Sequence, residues 1–209
     1  MIDSPNLEIM EFVENNILPR YNSFAASYGI SHVQRVINNA LDLCKVTGAD
    51  VNMVYVAAAY HDLGMEGHRA IHHLISGKIL SADARLKRWF SSEQIRIMKE
   101  AVEDHRASSS RTPRNLYGKI IAEADRELAP DIVFKRVLEY GLEHYPEKGR
   151  EEQWNRFNEH IQNKYGITGY IRLWIPNSPN AEKLNEIRKI IETHGKLKNI
   201  FDKLYDKLT

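Results

Sequence analysis

Residues 51–64 read VNMVYVAAAYHDLG, and this stretch decides the fold. It is apolar on nearly every side until a His-Asp pair, His61 and Asp62, interrupts it. A helix that is apolar all round is surrounded by protein, so we predict a central helix over Val51 to Leu63, with Gly64 as its stop. Because a buried polar pair costs free energy unless it is satisfied, the end of this helix is where chemistry is expected.

On both sides of this segment in the sequence, apolar residues recur at helical spacing, and no stretch shows the sustained alternation of apolar and polar residues that is typical of a strand. The sequence therefore predicts an all-α fold. Ser91 and Gln94 are placed to form a capping box, and Gly195 is a position where the last helix can bend. The other predicted helices are Leu7–Asn16, Ser31 to Gly48, His68–Leu80, Ser91 or Ser92 to His105, Leu116–Leu128, Asp131–Tyr145, Glu151–Tyr165 and Ala181–Leu208.

Composition excludes several classes of function. The 209 residues carry 29 Lys and Arg against 28 Asp and Glu, a net charge of +1 that gives no nucleic-acid signature. The longest apolar run, Met53 to Tyr60, is far shorter than the ~20 residues that span a bilayer, so we expect neither a membrane anchor nor a signal peptide. A single cysteine, Cys44, excludes an internal disulfide and fits a cytoplasmic protein.

Several polar residues interrupt otherwise apolar helix faces. A divalent metal would satisfy all of them, because imidazole and carboxylate are ligands for Mn, Fe, Ni, Co or Zn and helical bundles build such sites from several helices. Neighbouring residues leave a helix about 100° apart, so the adjacent His-Asp pair can share an ion only at a helix end. The residues concerned are His32, His61, Asp62, His105 and Asp125.

The local contexts SHVQRV (31–36), AAAYHDLGM (57–65) and IIAEADRE (120–127) resemble the HD superfamily of metal-dependent phosphohydrolases. The signature of that superfamily is a His, then a His-Asp doublet, then a distal Asp, and the resemblance covers Ser31 to Leu128. The later GYIRLW (169–174) is similar to a stretch of some uncharacterised bacterial members.

The resemblance implies a ligand set. His32, His61, Asp62 and Asp125 would hold a first metal, with His61 and Asp62 as the catalytic pair. Asp62 would bridge to a second metal, so that one or two ions are expected. The resemblance assigns His105 and His68 to the second ion. His72 and His73 are rivals to His68, and His72 lies on the same helix face as its i,i+4 neighbour His68.

The resemblance also implies hydrolysis of a phosphomonoester, phosphodiester or phosphoanhydride of a small molecule by metal-activated hydroxide, with a nucleotide as the expected substrate. The cations expected to bind the substrate lie in or beside the Ser-rich loop and are Arg106, Arg111, Arg114 and Lys119. Two alternatives stay open: a nucleotide-sensing module with a structural metal, and a di-iron oxygenase on the same scaffold.

We expect one HD domain over residues 1–209. Its metal-binding core would span about residues 25–130, and accessory C-terminal helices would follow over about 131–209. The expected partner is a small phosphorylated molecule, and the sequence does not indicate an oligomeric state.

Overall fold

The computed structural model describes residues 4–24, 28–106 and 111–209, and within these ranges the chain contains helices and no strand. The predicted all-α class is confirmed. No described helix is long and apolar enough to span a lipid bilayer. The helices are α1 Leu7–Asn16, α2 Ile30–Thr47, α3 Val51–Tyr60, α4 His72–Ala82, α5 Ser92–Asp104, α6 Leu116–Ala124, α7 Pro130–His144, α8 Arg150–Tyr165, α9 Pro179–Glu192 and α10 Lys196–Leu208.

The chain divides into two compact units, residues 1–126 and 127–209. In the first unit α3 is the central helix, buried from Met53 to Tyr60 and packed against α2, α5 and α6. Ala57, Ala58 and Ala59 are fully buried, and their small side chains let these neighbours approach closely. The expectation of a single domain over 1–209 stays a prediction.

The second unit has its own core. Helices α7, α8, α9 and α10 pack around an apolar cluster in which Phe134, Phe157 and Phe201 are almost completely buried. The predicted single helix over 181–208 is two helices, because Gly195 adopts a left-handed conformation with φ 71° between α9 and α10. A glycine reaches this conformation without strain, so the bend expected at Gly195 is a complete break.

The start of α5 follows the sequence closely. The hydroxyl of Ser91 accepts a hydrogen bond from the backbone N–H of Gln94, and the Gln94 side chain accepts one from the backbone N–H of Ser91. The predicted capping box is confirmed, and it fixes the direction of α5, whose C-cap is His105.

The end of α3 differs from the prediction. The helix stops at Tyr60, and Gly64 lies in a short 3-10 turn without the left-handed conformation of a helix stop. A Cβ at Gly64 would lie 2.1 Å from the His72 carbonyl oxygen and 2.8 Å from the Ser76 nitrogen. Gly64 is therefore required for close packing, and it brings the first turn of α4 against the end of α3.

Candidate metal centre

A first group of side chains converges at the end of α3. His32 Nε2 lies 3.2 Å from His61 Nε2, 3.3 Å from Asp62 Oδ2 and 3.4 Å from Asp125 Oδ1. His61 Nε2 lies 3.4 Å from Asp62 Oδ2 and 3.9 Å from Asp125 Oδ1. We call these four residues the first group. The adjacent His61 and Asp62 do converge past the helix end, as their spacing requires.

A second group lies on the other oxygen of the same carboxylate. His72 Nε2 is 3.2 Å from His105 Nε2 and 3.3 Å from Asp62 Oδ1, and His105 Nε2 is 3.5 Å from that oxygen. We call Asp62, His72 and His105 the second group. Asp62 thus directs Oδ2 to one group and Oδ1 to the other.

The spacing of these atoms fits a metal ion. Ligand atoms around one ion lie roughly 3 to 3.5 Å apart when the ion-to-ligand distance is ~2.0–2.2 Å. Most of the separations above fall in this range. An ion could be held by His32, His61 and Asp62 of the first group, and another by the three residues of the second group. Imidazole nitrogen with carboxylate oxygen is a donor set for Mn, Fe, Ni, Co or Zn.

Backbone carbonyls decide which nitrogen of three histidines carries the proton. His61 Nδ1 lies 2.8 Å from the Ala58 oxygen, and His105 Nδ1 lies 2.6 Å from the Val102 oxygen. Both carbonyls belong to the last turn of a helix, where C=O groups have no helical N–H partner four residues further along the chain. His72 Nδ1 lies 2.7 Å from the carbonyl oxygen of Arg69. Since a carbonyl only accepts, each Nδ1 donates, and a neutral ring then presents a lone pair on Nε2.

His32 is held differently. Its Nδ1 lies 3.0 Å from Nη2 of Arg35, and a guanidinium only donates hydrogen bonds. Nδ1 is therefore the acceptor, so a neutral His32 ring carries its proton on Nε2. This arrangement is the reverse of the one that a metal ligand needs at Nε2.

The charges of the centre require a cation. Burial by itself lowers the pKa of His61, but Asp62 and Asp125 raise it to about 9. Burial opposes ionisation of Asp62, yet His61 and the hydrogen bonds of the neighbouring histidines hold the pKa of this carboxyl far below its usual range. Burial also lowers the pKa of His72. A proton or a divalent ion therefore belongs between the Nε2 atoms and the ionised Asp62.

Helix ends supply a further negative potential. Helices α3, α5 and α6 all end at the centre, with His61, His105 and Asp125 at their C-caps. The C-terminal end of a helix carries a partial negative charge that favours cations. The backbone as well as the side chains is therefore arranged to stabilise positive charge here.

Two contacts made by residues outside the two groups fix the backbone of the site. The Tyr21 hydroxyl donates to the Ala59 carbonyl oxygen at 2.9 Å and accepts from the Asp62 N–H at 3.3 Å. Asn39 on α2 donates to the Ala124 carbonyl oxygen at 3.0 Å, which fastens the end of α6 beside Asp125. Sequence reasoning missed both residues, since a Tyr and an Asn at helical spacing carry no distinctive signal.

The structure does not bring His68 to the second group. His68 is exposed and precedes a 3-10 turn over 69–71, whereas His72 is the first residue of α4. The predicted helix began at His68, which placed His68 and His72 on one helix face. In the structure α4 begins only at His72, so His68 lies outside the helix. His72, the rival in the sequence analysis, takes the place expected for His68.

The four cations expected to bind substrate have different surroundings. Arg114 is already engaged, since its guanidinium contacts Glu103 at 2.7 Å and Asp104 at 3.0 Å, and these hydrogen-bonded carboxylates raise its pKa. Arg106 is half-buried and donates to the Ala70 carbonyl oxygen at 2.7 Å. Arg111 is exposed, Lys119 is half-buried in α6, and residues 107–110 of the loop lie outside the described ranges. A substrate role for Arg106, Arg111, Arg114 and Lys119 stays a prediction.

Comparison with known proteins gives three similarities. The family model of the HD domain matches residues 29–129. A tRNA (cytidine(56)-2'-O)-methyltransferase of Thermoplasma volcanium is 28% identical over 146 residues, which cover 65% of this chain and 41% of that protein. The chain thus spans about two fifths of the length of this curated relative. The crystal structure of a predicted HD superfamily hydrolase from an uncultured Thermotogales bacterium is 24% identical, has a TM-score of 0.49, and is matched over 78% of this chain and 91% of that one.

The HD domain match over 29–129 contains every residue of the two groups. Within it the His, the His-Asp doublet and the distal Asp of the sequence signature meet at the end of one buried helix. Residues 29–129 of the chain therefore form an HD domain, as the sequence resemblance predicted.

Proposed function

We propose that the protein is a metal-dependent phosphohydrolase that cleaves a phosphomonoester, phosphodiester or phosphoanhydride of a small molecule, with nucleotides as the expected class. The observation that carries this proposal is the position of Asp62, whose two carboxylate oxygens face two separate sets of histidine Nε2 atoms. In two-metal hydrolytic sites the ions lie about 3.5–4 Å apart. A carboxylate that offers one oxygen to each ion is compatible with that separation.

The first group would hold one divalent ion through His32, His61, Asp62 and Asp125, and the second would hold another through Asp62, His72 and His105. Bound divalent ions of this kind polarise phosphoryl oxygens and lower the pKa of water. Hydrolysis then breaks a P–O bond and adds the elements of water across it.

The protein's own contribution is orientation and charge. The carbonyls of Ala58, Val102 and Arg69 hold three imidazole rings with Nε2 directed at Asp62. Burial of His61, Asp62 and His105, each at most 3% exposed, keeps bulk water away from these donor atoms. Asp125, with 23% of its side chain exposed, lies on the open side of the first group, where a substrate can approach.

The test combines metal content with turnover. Protein purified without chelator should contain one or two transition-metal ions by elemental analysis. With added Mn, Ni or Co it should release phosphate or nitrophenol from p-nitrophenyl phosphate, its bis-ester or a nucleotide panel. His61→Asn should lose metal and more than about 100-fold in kcat/KM, since even outer partners of a ligand contribute 10- to 100-fold.

The matched control is His144→Asn, which changes an exposed histidine of the second unit and should leave both readouts unchanged. Turnover that survives His61→Asn would contradict the site assignment. Iron content with oxygen consumption and no phosphate release would favour an oxygenase, and nucleotide binding without turnover would favour a sensing module.

A further inference from the structure

Arg69 connects the surroundings of the two groups. Its carbonyl oxygen accepts the hydrogen bond from His72 Nδ1, so its backbone positions a ligand of the second group. Its guanidinium carbon lies 5.4 Å above the centre of the Tyr28 ring. That ring stands edge-on to His32 of the first group, with ring centroids 6.1 Å apart at 76°. One aromatic ring therefore separates the Arg69 cation from His32.

Tyr28 can fix the direction of this cation. Arginine stacks on aromatic faces through its planar guanidinium, which leaves the N–H groups at the edge of the plane available for hydrogen bonds. Tyr28 is half-buried and Arg69 is exposed, so the ring is anchored against the protein while the cation reaches solvent. An ordered guanidinium loses less side-chain entropy when it binds an anion.

Other arginines near the centre are already engaged. Arg114 is paired with two carboxylates, Arg106 donates to a backbone carbonyl, and Arg20 is paired with Glu66 at 3.1 Å. Among the residues that the structure describes, Arg69 makes no ion pair, and its side chain contacts Tyr28. A cation so placed beside a metal centre is suited to the fork-like recognition of a phosphoryl group.

We propose that Arg69, held over Tyr28, is the cation that binds the phosphoryl oxygens of the substrate, an inference that rests on the proposed phosphohydrolase function. Arg69 is then a substrate-binding residue, and Tyr28 is a positioning residue that acts through it. Arg69 was not among the cations that the sequence indicated for this role.

The test is phosphate binding to the full-length protein loaded with Mn. Isothermal titration with inorganic phosphate should show binding to the wild type that is about 10- to 100-fold weaker in Arg69→Met, as expected for a lost charge-assisted hydrogen bond. Metal content should not change, because the substitution keeps the backbone carbonyl that holds His72. With p-nitrophenyl phosphate, the KM should rise more than kcat falls.

Control variants separate binding from general damage. Arg88 lies 5.2 Å above the Trp89 ring and is paired with Glu8, so Arg88→Met removes an equivalent stacked arginine elsewhere and should leave phosphate binding unchanged. Tyr28→Phe keeps the ring and should retain most of the affinity for phosphate. Tyr28→Leu removes the ring and should weaken binding in the same direction as Arg69→Met.

The outcomes distinguish this inference from the proposed function. Equal phosphate affinity in Arg69→Met and wild type overturns the role of Arg69 even if the enzyme turns over, and so does a loaded wild type that binds no phosphate. Arg69-dependent phosphate binding without turnover of any phosphate ester supports the role of Arg69 and contradicts hydrolysis.

Discussion

The two groups share Asp62 but differ in how their histidines are held. In the second group both Nδ1 atoms donate to backbone carbonyls, so both rings present Nε2 lone pairs without further change. In the first group His61 is held in the same way, whereas His32 accepts a hydrogen bond from Arg35. The histidines of the second group are therefore already arranged for a cation. In the first group, the hydrogen bond from Arg35 to His32 must be given up before His32 can present its Nε2 lone pair.

This difference teaches that convergence of side chains is only part of a metal site. The tautomer of each histidine is set by the partner of its other nitrogen. Helix ends provide such partners without breaking the helix, since the last carbonyls have no helical donor four residues further along the chain. His32 lies in the first turn of α2, where the helix offers no carbonyl of this kind, and a side chain takes that place.

The largest effect is expected from the residue that the groups share. Asp62→Asn keeps the shape but removes the charge, so metal content should fall at both groups and kcat/KM should fall by more than about 100-fold. Elemental analysis and phosphate release measure these losses. Asp42→Asn, at an exposed carboxylate paired with Lys45, is the matched control and should change neither. A variant that loses one ion and keeps the other would show that the groups do not depend on a common carboxylate.

A smaller and more selective effect is expected within the second group. His72→Asn should remove the ion of that group and leave the first group loaded, because His72 Nε2 faces only the Oδ1 side of Asp62. His68→Asn should leave metal content and rate unchanged, since His68 is exposed and lies before α4. Metal-to-protein ratios of the two variants measure the difference. The reverse result, with loss in His68→Asn alone, would restore the ligand expected from the family resemblance.

The fold was largely predictable because its signals are local. The period of apolar residues gave the helices, and the Ser91 and Gln94 side chains marked a helix start that the structure confirms. The end of α3 and the start of α4 were not predictable in the same way. The positions of Gly64 and His72 depend on close packing between the turn after α3 and the first turn of α4. The sequence alone does not show this packing.

The residues of the centre were predictable from the sequence as far as the motif specifies residue types and their order along the chain. His32, His61, Asp62 and Asp125 meet in space, but their ligand roles stay a prediction. The family resemblance favoured His68 over His72, whereas the structure separates the two residues by the start of α4. Helix boundaries are the least reliable feature of a sequence-based assignment. Contacts that no motif records, such as those of Arg35 and Arg69, became visible only in three dimensions.

The smallest expected effect tests the difference between the two groups in how their histidines are held. For His32 Nε2 to bind a metal, the ring must move its proton to Nδ1, and the hydrogen bond from Arg35 must then be given up. Arg35→Met removes that hydrogen bond and one positive charge, so affinity for the ion of the first group should rise about tenfold, the scale of one charge-assisted hydrogen bond. Titration of metal-free protein with Mn, followed by calorimetry, should show the change in one binding step, while the step assigned to the second group stays constant.

Arg35→Lys separates the two causes of that rise. Lysine keeps the positive charge but lacks the planar fork of the guanidinium, so an affinity near that of Arg35→Met identifies the hydrogen bond to Nδ1 as the main cause. An affinity near that of the wild type identifies the charge. A weaker first step in both variants would mean that Arg35 supports His32 as a ligand, and the two groups would then be equally preset despite their different partners.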